Sequence, residues 1–302
     1  MIKGNYCFGK NKVNLSKETR FQGSNFEKTY IKTGIKYIYR SSKEETTLTL
    51  SIKAAKKTLV NIKENVSALI FVTQSPHSLI PSSGSILHRE LGLDKECFVL
   101  DIIQGCSGFP YALSIASNLI KTKQIKNCLI VSAETYTKYI DKKNKNCFPL
   151  FSDAAAAIFI NKNTTPKLLS SYYLTDGYGA KNLMLNNKKK LFMHGANVFT
   201  FTAEKVPQAT NILLKRAGLK IEDINLFVYH QASKVVLSVV KEKLKIPKEK
   251  FLFDIKDYGN TVSSSIPIAL IRSKNKIVKN KPILIMGFGV GYSLCGGIYK
   301  FD

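Results

Sequence analysis

Short apolar runs alternate with amphipathic stretches along this chain, and they do so twice. Runs at 68–73, 97–100, 127–133 and 154–160 read as buried strands. Between them, 46–60, 83–91 and 111–120 carry apolar residues at helical spacing. A stretch rich in Gly, Asn, Lys and Tyr follows at 161–202, and then the rhythm returns. Helices are expected at 203–217, 233–244 and 263–272, and strands at 226–229, 251–253, 282–286 and 293–301. Residues 1–45 read as polar and irregular, with one strand over 33–40. Such alternation implies an α/β protein with a largely parallel sheet covered on both faces. The repeated order suggests two duplicated halves, 1–162 and 163–302. Superposing them lays the helix after Asn260 on the helix after Cys106, so that two helix N-termini face one central site.

The most chemically suggestive stretch lies where a strand hands over to a helix. Cys106 sits in the turn Gly105-Cys106-Ser107-Gly108. A helix N-terminus carries partial positive charge and unpaired N–H groups, which lower a thiol's pKa. The glycines allow a tight turn and leave room for a substrate. A small buried apolar cysteine is the competing reading. His230 follows the strand at 226–229, at the end of a sheet where ligands bind in α/β folds. Asn260, in Gly259-Asn260-Thr261, is by itself most simply a helix cap or turn residue. The loop Gly287-Phe288-Gly289-Val290-Gly291 leads to a strand instead of a helix, so it reads as a turn and not a phosphate loop. Gly4, Gly9 and Lys10 have phosphate-loop spacing, but Asn11 stands where that motif needs Ser or Thr. Asp153 and Glu134 read as structural hydrogen-bond acceptors, and His77, His88 and His194 have no metal-ligand spacing. Together, Cys106, His230 and Asn260 supply a thiol nucleophile and two neutral donors for an enolate oxygen.

Composition narrows the setting. The apolar fraction of 44% in 302 residues is that of a globular protein with ample core. No apolar run has membrane-spanning length and the N-terminus lacks a signal-peptide core, so a cytoplasmic protein with no membrane partner is expected. Its six cysteines include no Cys-x-x-Cys pair and no zinc-spaced cluster, so no metal is expected. The net charge of +25 attracts polyanions, but the lysines are scattered, without a basic tail or an aromatic-basic signature. A nucleic-acid partner is therefore not expected. Solvated lysines on every face, or an acidic protein or phosphorylated substrate, account for the charge.

The motifs, taken in order, resemble those of the β-ketoacyl-acyl-carrier-protein synthase III family of the thiolase superfamily. They are Thr33-Gly34-Ile35, Gly105-Cys106-Ser107-Gly108-Phe109, Phe151-Ser152-Asp153, Asp176-Gly177-Tyr178-Gly179, Met193-His194-Gly195-Ala196-Asn197-Val198-Phe199, His230-Gln231-Ala232, Gly259-Asn260-Thr261 and Gly287-Phe288-Gly289. The resemblance implies a thiolase-like fold of five layers, α-β-α-β-α, and a homodimer. It implies that Cys106 accepts an acyl group from an acyl thioester, and that malonyl on an acyl carrier protein then loses carbon dioxide. His230 and Asn260 would hold the enolate oxygen while its carbon attacks the acyl-cysteine. The backbone N–H groups of Cys106 and Val290 would form the oxyanion hole, and Ile80 would gate the acyl pocket across the dimer. Acyl-CoA or acyl carrier protein serves as donor, without a cofactor.

The chain departs from the family at the carrier-binding edge. It has no tryptophan; Lys28 falls where the family stacks an adenine, and Lys32 replaces an arginine. Ser233 and Val235 replace an asparagine and an arginine, and Lys234 beside them is a candidate carrier contact. Lys28, Lys32 and Lys234 are thus the expected CoA or carrier contacts. The alternative activity is transfer of the acyl group from Cys106 to an oxygen or nitrogen acceptor without decarboxylation. A papain-like protease shares the order Cys, His, Asn, but the duplicated halves and the absent Gly-Ser-Cys-Trp context argue against it. A non-enzymatic nucleic-acid binder would leave Cys106 unexplained.

Overall fold

The structure, a computed structural model, describes residues 2–19 and 24–301. The chain begins with β1 (Lys3–Phe8), β2 (Asn11–Asn14), α1 (Ser24–Thr33), β3 (Tyr37–Arg40) and α2 (Thr47–Leu59). Thr46 starts α2 with a capping box, its hydroxyl accepting from the Thr49 N–H while the Thr49 hydroxyl accepts from its own N–H. Next come β4 (Ala68–Val72), α3 (Ser83–Glu90), β5 (Phe98–Ile102), α4 (Gly108–Lys121), β6 (Asn127–Glu134) and β7 (Ala154–Asn161). These strands form one sheet in the order β1-β7-β6-β4-β5. β8 (Lys167–Thr175), a hairpin of β9 (Leu183–Leu185) and β10 (Leu191–Met193), and α5 (Gly195–Ala217) follow. The chain ends with β11 (Leu226–Tyr229), α6 (Lys234–Lys243), α7 (Ser265–Arg272), β12 (Pro282–Phe288) and β13 (Ser293–Lys300). The second sheet runs β11-β12-β13-β8.

Side-chain alternation along the strands builds five layers. Phe71, Leu129 and Phe159 point outward from the first sheet onto Leu50 and Ala54 of α2 and Leu87 of α3. From its other face, Ile70 and Ile130 meet Phe109, Leu113 and Ala116 of α4, and Ile266 and Leu270 of α7. Those two helices meet Val228, Ile283 and Ile285 of the second sheet on their far side. Phe227, Leu284 and Met286, the intervening residues, face Val206 and Leu213 of α5 and Leu237 and Val240 of α6. This is the α-β-α-β-α arrangement. Because α4 and α7 lie between two sheets, both are mostly apolar around their circumference.

The internal repeat is most exact in this middle layer. A 3-10 turn, Gly105–Ser107, leads into α4, and another, Val262–Ser264, leads into α7. Gly105 and Val262 have φ of 50° and 51°. Pro110 and Pro267 are each the third residue of their helix, where a missing N–H costs no helical bond. Cys106 and Ser263 therefore occupy equivalent positions.

Several expectations need correction. The sheets are mixed: β4 is parallel to β5 and β6, and β11 to β12, while β1, β7, β8 and β13 run antiparallel to their neighbours. A parallel return needs a long crossover; β13 instead follows β12 after a short turn, and β7 follows β6 through a loop without an α-helix. Residues 1–45 are not irregular, and the strand expected at 33–40 starts only at Tyr37 because α1 runs to Thr33. β1 pairs with β7 at the sheet edge, where polar outward residues mask the strand pattern. The connecting stretch contains β8, and α5 begins at Gly195 instead of 203. At 251–253 only a single bridge, Phe227 to Phe251, forms.

Asp153 ties the head of β7 to its surroundings. Its buried carboxylate accepts from the Thr137 N–H (2.8 Å), the Thr137 hydroxyl (2.6 Å) and the Ser41 N–H (2.8 Å). Asp153→Ala strands these donors, and urea denaturation is expected to show a loss of about 3 kcal/mol or more.

Candidate active site

The elements around the middle layer close a cavity of about 760 Å³ whose wall includes Cys106, His230, Asn260, Phe288 and Gly289. Cys106, His230 and Asn260 are all buried, with exposures of 6%, 2% and 4%. The sequence separates these residues widely; the duplicated fold brings them together.

The second sheet holds the Cys106 turn by close backbone contact. A Cβ on Gly287 would lie 2.3 Å from the Cys106 carbonyl oxygen and 2.7 Å from the Ser107 Cα. A Cβ on Gly289 would lie 3.1 Å from the Cys106 Cβ and 3.2 Å from its Sγ. Ser107 and Ser293 join the two chain segments through their hydroxyls at 2.9 Å. The Gly289 N–H donates to the Ser293 carbonyl (3.0 Å), which leaves the next residue, Val290, as the candidate for an N–H aimed at a reacting oxygen. Val290 packs against the same apolar cluster as Cys106.

His230 and Asn260 are oriented by what lies behind them. Ser265 Oγ is 2.6 Å from His230 Nδ1 and receives the Gln231 N–H at 3.4 Å. A hydroxyl that accepts from an N–H and donates its own proton to Nδ1 leaves the proton of the imidazole on Nε2. Asn260 Oδ1 accepts from the Val262 N–H (2.9 Å), so its amide nitrogen faces His230. One amide hydrogen goes to the Ala232 carbonyl (3.3 Å), and Nδ2 is 3.5 Å from His230 Nε2. At that separation the two nitrogens barely bond to each other and can share an acceptor placed between them.

Burial decides the charge states. It lowers the His230 pKa from 6.5 to about 3, so the imidazole is neutral at ordinary pH. It also pushes the Cys106 thiol well above its usual range, and the Glu134 carboxylate adds to this. The expected lowering by the helix N-terminus is thus outweighed by desolvation: the resting group is a thiol.

Lys28 and Lys32 of α1 line the cavity. Lys234 does not line it; it begins α6 beside Gly34. Ile80 is 92% exposed and does not line this cavity. Lys145, Asn146 and Asn25 also line the mouth and were not singled out from the sequence. Their only sequence signal is membership of a lysine- and asparagine-rich loop and of the polar first turn of α1. Among the described residues, no group of three or more His, Cys, Asp or Glu side chains is placed to hold a metal ion, and no helix is long and apolar enough to cross a membrane.

A duplicated five-layer α/β fold with a buried cysteine at the head of a central helix, facing a neutral imidazole and an amide, defines the thiolase fold. A family model for 3-oxoacyl-[acyl-carrier-protein] synthase III matches residues 100–177, and one for its C-terminal part matches 214–301. A β-ketoacyl-[acyl-carrier-protein] synthase III of Clostridium novyi (strain NT) is 36% identical over 291 residues, covering 90% of this chain and 89% of that protein. The crystal structure of 3-oxoacyl-[acyl-carrier-protein] synthase III from Aquifex aeolicus VF5 superposes with a TM-score of 0.92 at 28% identity, covering 99% of each chain. The chain belongs to the β-ketoacyl-[acyl-carrier-protein] synthase III family.

The His230 environment carries a pH signature. Its folded pKa lies below its unfolded value, so the stability from keeping it neutral is full above pH 6.5 and declines as pH falls toward 3. Between pH 7.5 and pH 5 this is about 2 kcal/mol. Chemical denaturation at both pH values is expected to show that this part of the loss disappears in His230→Gln.

Proposed function

We propose that this chain forms β-ketoacyl thioesters by decarboxylative condensation, with Cys106, His230 and Asn260 as its catalytic residues. The observation that carries the reading is His230 Nε2 and Asn260 Nδ2 set 3.5 Å apart on the wall of the cavity that contains Cys106; with Ser265 donating to His230 Nδ1, both are neutral N–H donors. Cys106 Sγ attacks the carbonyl carbon of an acyl thioester. The C–S bond to the carrier breaks, and the carrier thiolate takes the thiol proton. The N–H groups of Cys106 and Val290 hold the oxyanion in this step.

A malonyl thioester on an acyl carrier protein then enters. Its carboxylate leaves as carbon dioxide, and the electron pair of the broken C–C bond moves into the enolate, whose oxygen lies between His230 and Asn260. The buried, neutral imidazole suits this role, because a cation would cost more to hold in the same site. The enolate carbon attacks the acyl-cysteine carbonyl, and collapse of the adduct releases the β-ketoacyl thioester and the Cys106 thiolate, which is reprotonated. No cofactor is needed.

The active form in this proposal is a cytoplasmic homodimer. β5 is an edge of the first sheet, and Leu79, Ile80, Phe98 and Ile103 near it are exposed apolar side chains. Such an edge favours pairing with another copy. In a dimer, Ile80 reaches the partner's acyl pocket. Lys28, Lys32 and Lys145 at the mouth, with Lys234 beside it, attract an acidic carrier protein and the phosphate of its prosthetic arm.

Intact-protein mass spectrometry with acyl-CoA and acyl carrier protein donors tests this. Wild type is expected to gain one acyl group, which malonyl carrier protein discharges as β-ketoacyl product, and Cys106→Ala gains none. His230→Ala and Asn260→Ala are expected to keep the adduct but lose condensation by about 10²–10³-fold each. An adduct that survives Cys106→Ala, or one that malonyl carrier protein never discharges, contradicts the proposal.

A further inference from the structure

Glu134 ends β6 as a fully buried carboxylate between the twin turns of the middle layer. Its Oε1 accepts from the Ser263 hydroxyl (2.7 Å) and the Gln74 N–H (3.1 Å). Its Oε2 accepts from the Ser75 hydroxyl (2.7 Å). Each of the two Oε1 contacts leads to a different half of the site.

Ser263 is the counterpart of Cys106 in the second turn. It follows Val262, a β-branched residue at φ 51°, where only glycine is comfortable. That conformation persists only if its neighbours hold it. The holding contacts are the Ser263–Glu134 bond on one side and the Val262 N–H to Asn260 Oδ1 bond on the other. The second bond is the one that turns the Asn260 amide nitrogen toward His230. Gln74 leads to the first turn: its side chain lies flat on Gly105, where a Cβ would be 2.2 Å from Gln74 Oε1, and its Nε2 donates to the Ile103 carbonyl (3.3 Å).

We infer that Glu134 is a positioning residue for the condensation: one carboxylate keeps the turn carrying Cys106 and the turn presenting Asn260 in fixed relation. The role in condensation rests on the function proposed above. The titratable groups facing Glu134 are Cys106, Tyr136 and Tyr139, and its charge raises the pKa of all three. Burial pushes its own pKa up to about 7 while the hydrogen bonds oppose the rise, so it is ionised where the thiol titrates.

Glu134→Gln keeps the shape, removes the charge and turns one acceptor into a donor. Two readouts are taken on the full chain, with thermal unfolding to confirm that the variants fold. Steady-state condensation is expected to lose about tenfold or more in kcat, with KM for malonyl carrier protein within about threefold. Iodoacetamide alkylation of Cys106, followed against pH, is expected to shift its midpoint to lower pH. Ser263→Ala, which leaves the carboxylate in place, is expected to lower kcat without that shift, and its effect in the Glu134→Gln background is less than additive. A kcat within about twofold of wild type in both single variants, or an alkylation midpoint unmoved by Glu134→Gln, overturns the inference. If Glu134→Gln does not fold, an unchanged kcat in Ser263→Ala overturns it and a reduced kcat supports it. If wild type itself fails to condense, the proposed reaction is wrong, while the alkylation midpoint still tests the effect of the Glu134 charge on the thiol.

Discussion

Backbone packs directly on backbone where the end of β12 crosses the turn that carries Cys106. Gly287 has no room for a methyl group there, since its nearest neighbours are a carbonyl oxygen and a Cα. These partners cannot swing aside as a flexible side chain would. The second sheet therefore sets the position of Cys106, which belongs to the first half of the chain. The same close approach puts Gly289 over the sulfur and Phe288 edge-on against the His230 ring, at 5.6 Å between centroids. A covalent step needs reacting atoms held within a fraction of an ångström, and rigid main chain holds them better than surface loops.

Duplication makes this economical. α4 and α7 are equivalent helices in one buried layer, and their leading turns differ in what they present. One offers a thiol. The other offers Ser263, which turns inward to Glu134, and Asn260 just before it lines the cavity. Burial then sets each protonation state in a useful direction. It keeps His230 neutral, so that the imidazole donates one hydrogen bond without bringing a cation into the cavity. It keeps Cys106 protonated at rest.

Much of this was legible in the sequence. The runs at 68–72, 127–134 and 226–229 are buried throughout, and such strands declare themselves by continuous apolar residues. Glycines flank Cys106 and a strand end precedes His230, but Asn260 alone reads as a cap or turn residue, and only the resemblance of the whole motif series joins the three. What escaped notice depends on long-range contact. β1 and β8 are edge strands whose polar, half-exposed residues look like loop until a partner strand is known. Lys145 reaches the cavity mouth only because its loop folds over it. The charge state of Cys106 was misjudged because the helix N-terminus is visible in sequence and desolvation is not. Ile80, expected from the resemblance to gate the acyl pocket, is almost fully exposed.

The proposed reaction depends on Ser265 fixing His230 as the Nε2–H tautomer, so that two neutral donors face one oxygen. Nitrogen NMR of protein labelled with ¹⁵N-histidine reads the tautomer, and the chain has only four histidines to assign. At neutral pH the His230 signals are expected to show a protonated Nε2 and an unprotonated Nδ1, unchanged down to at least pH 5. A proton on Nδ1, or an imidazolium near pH 6.5, would contradict it.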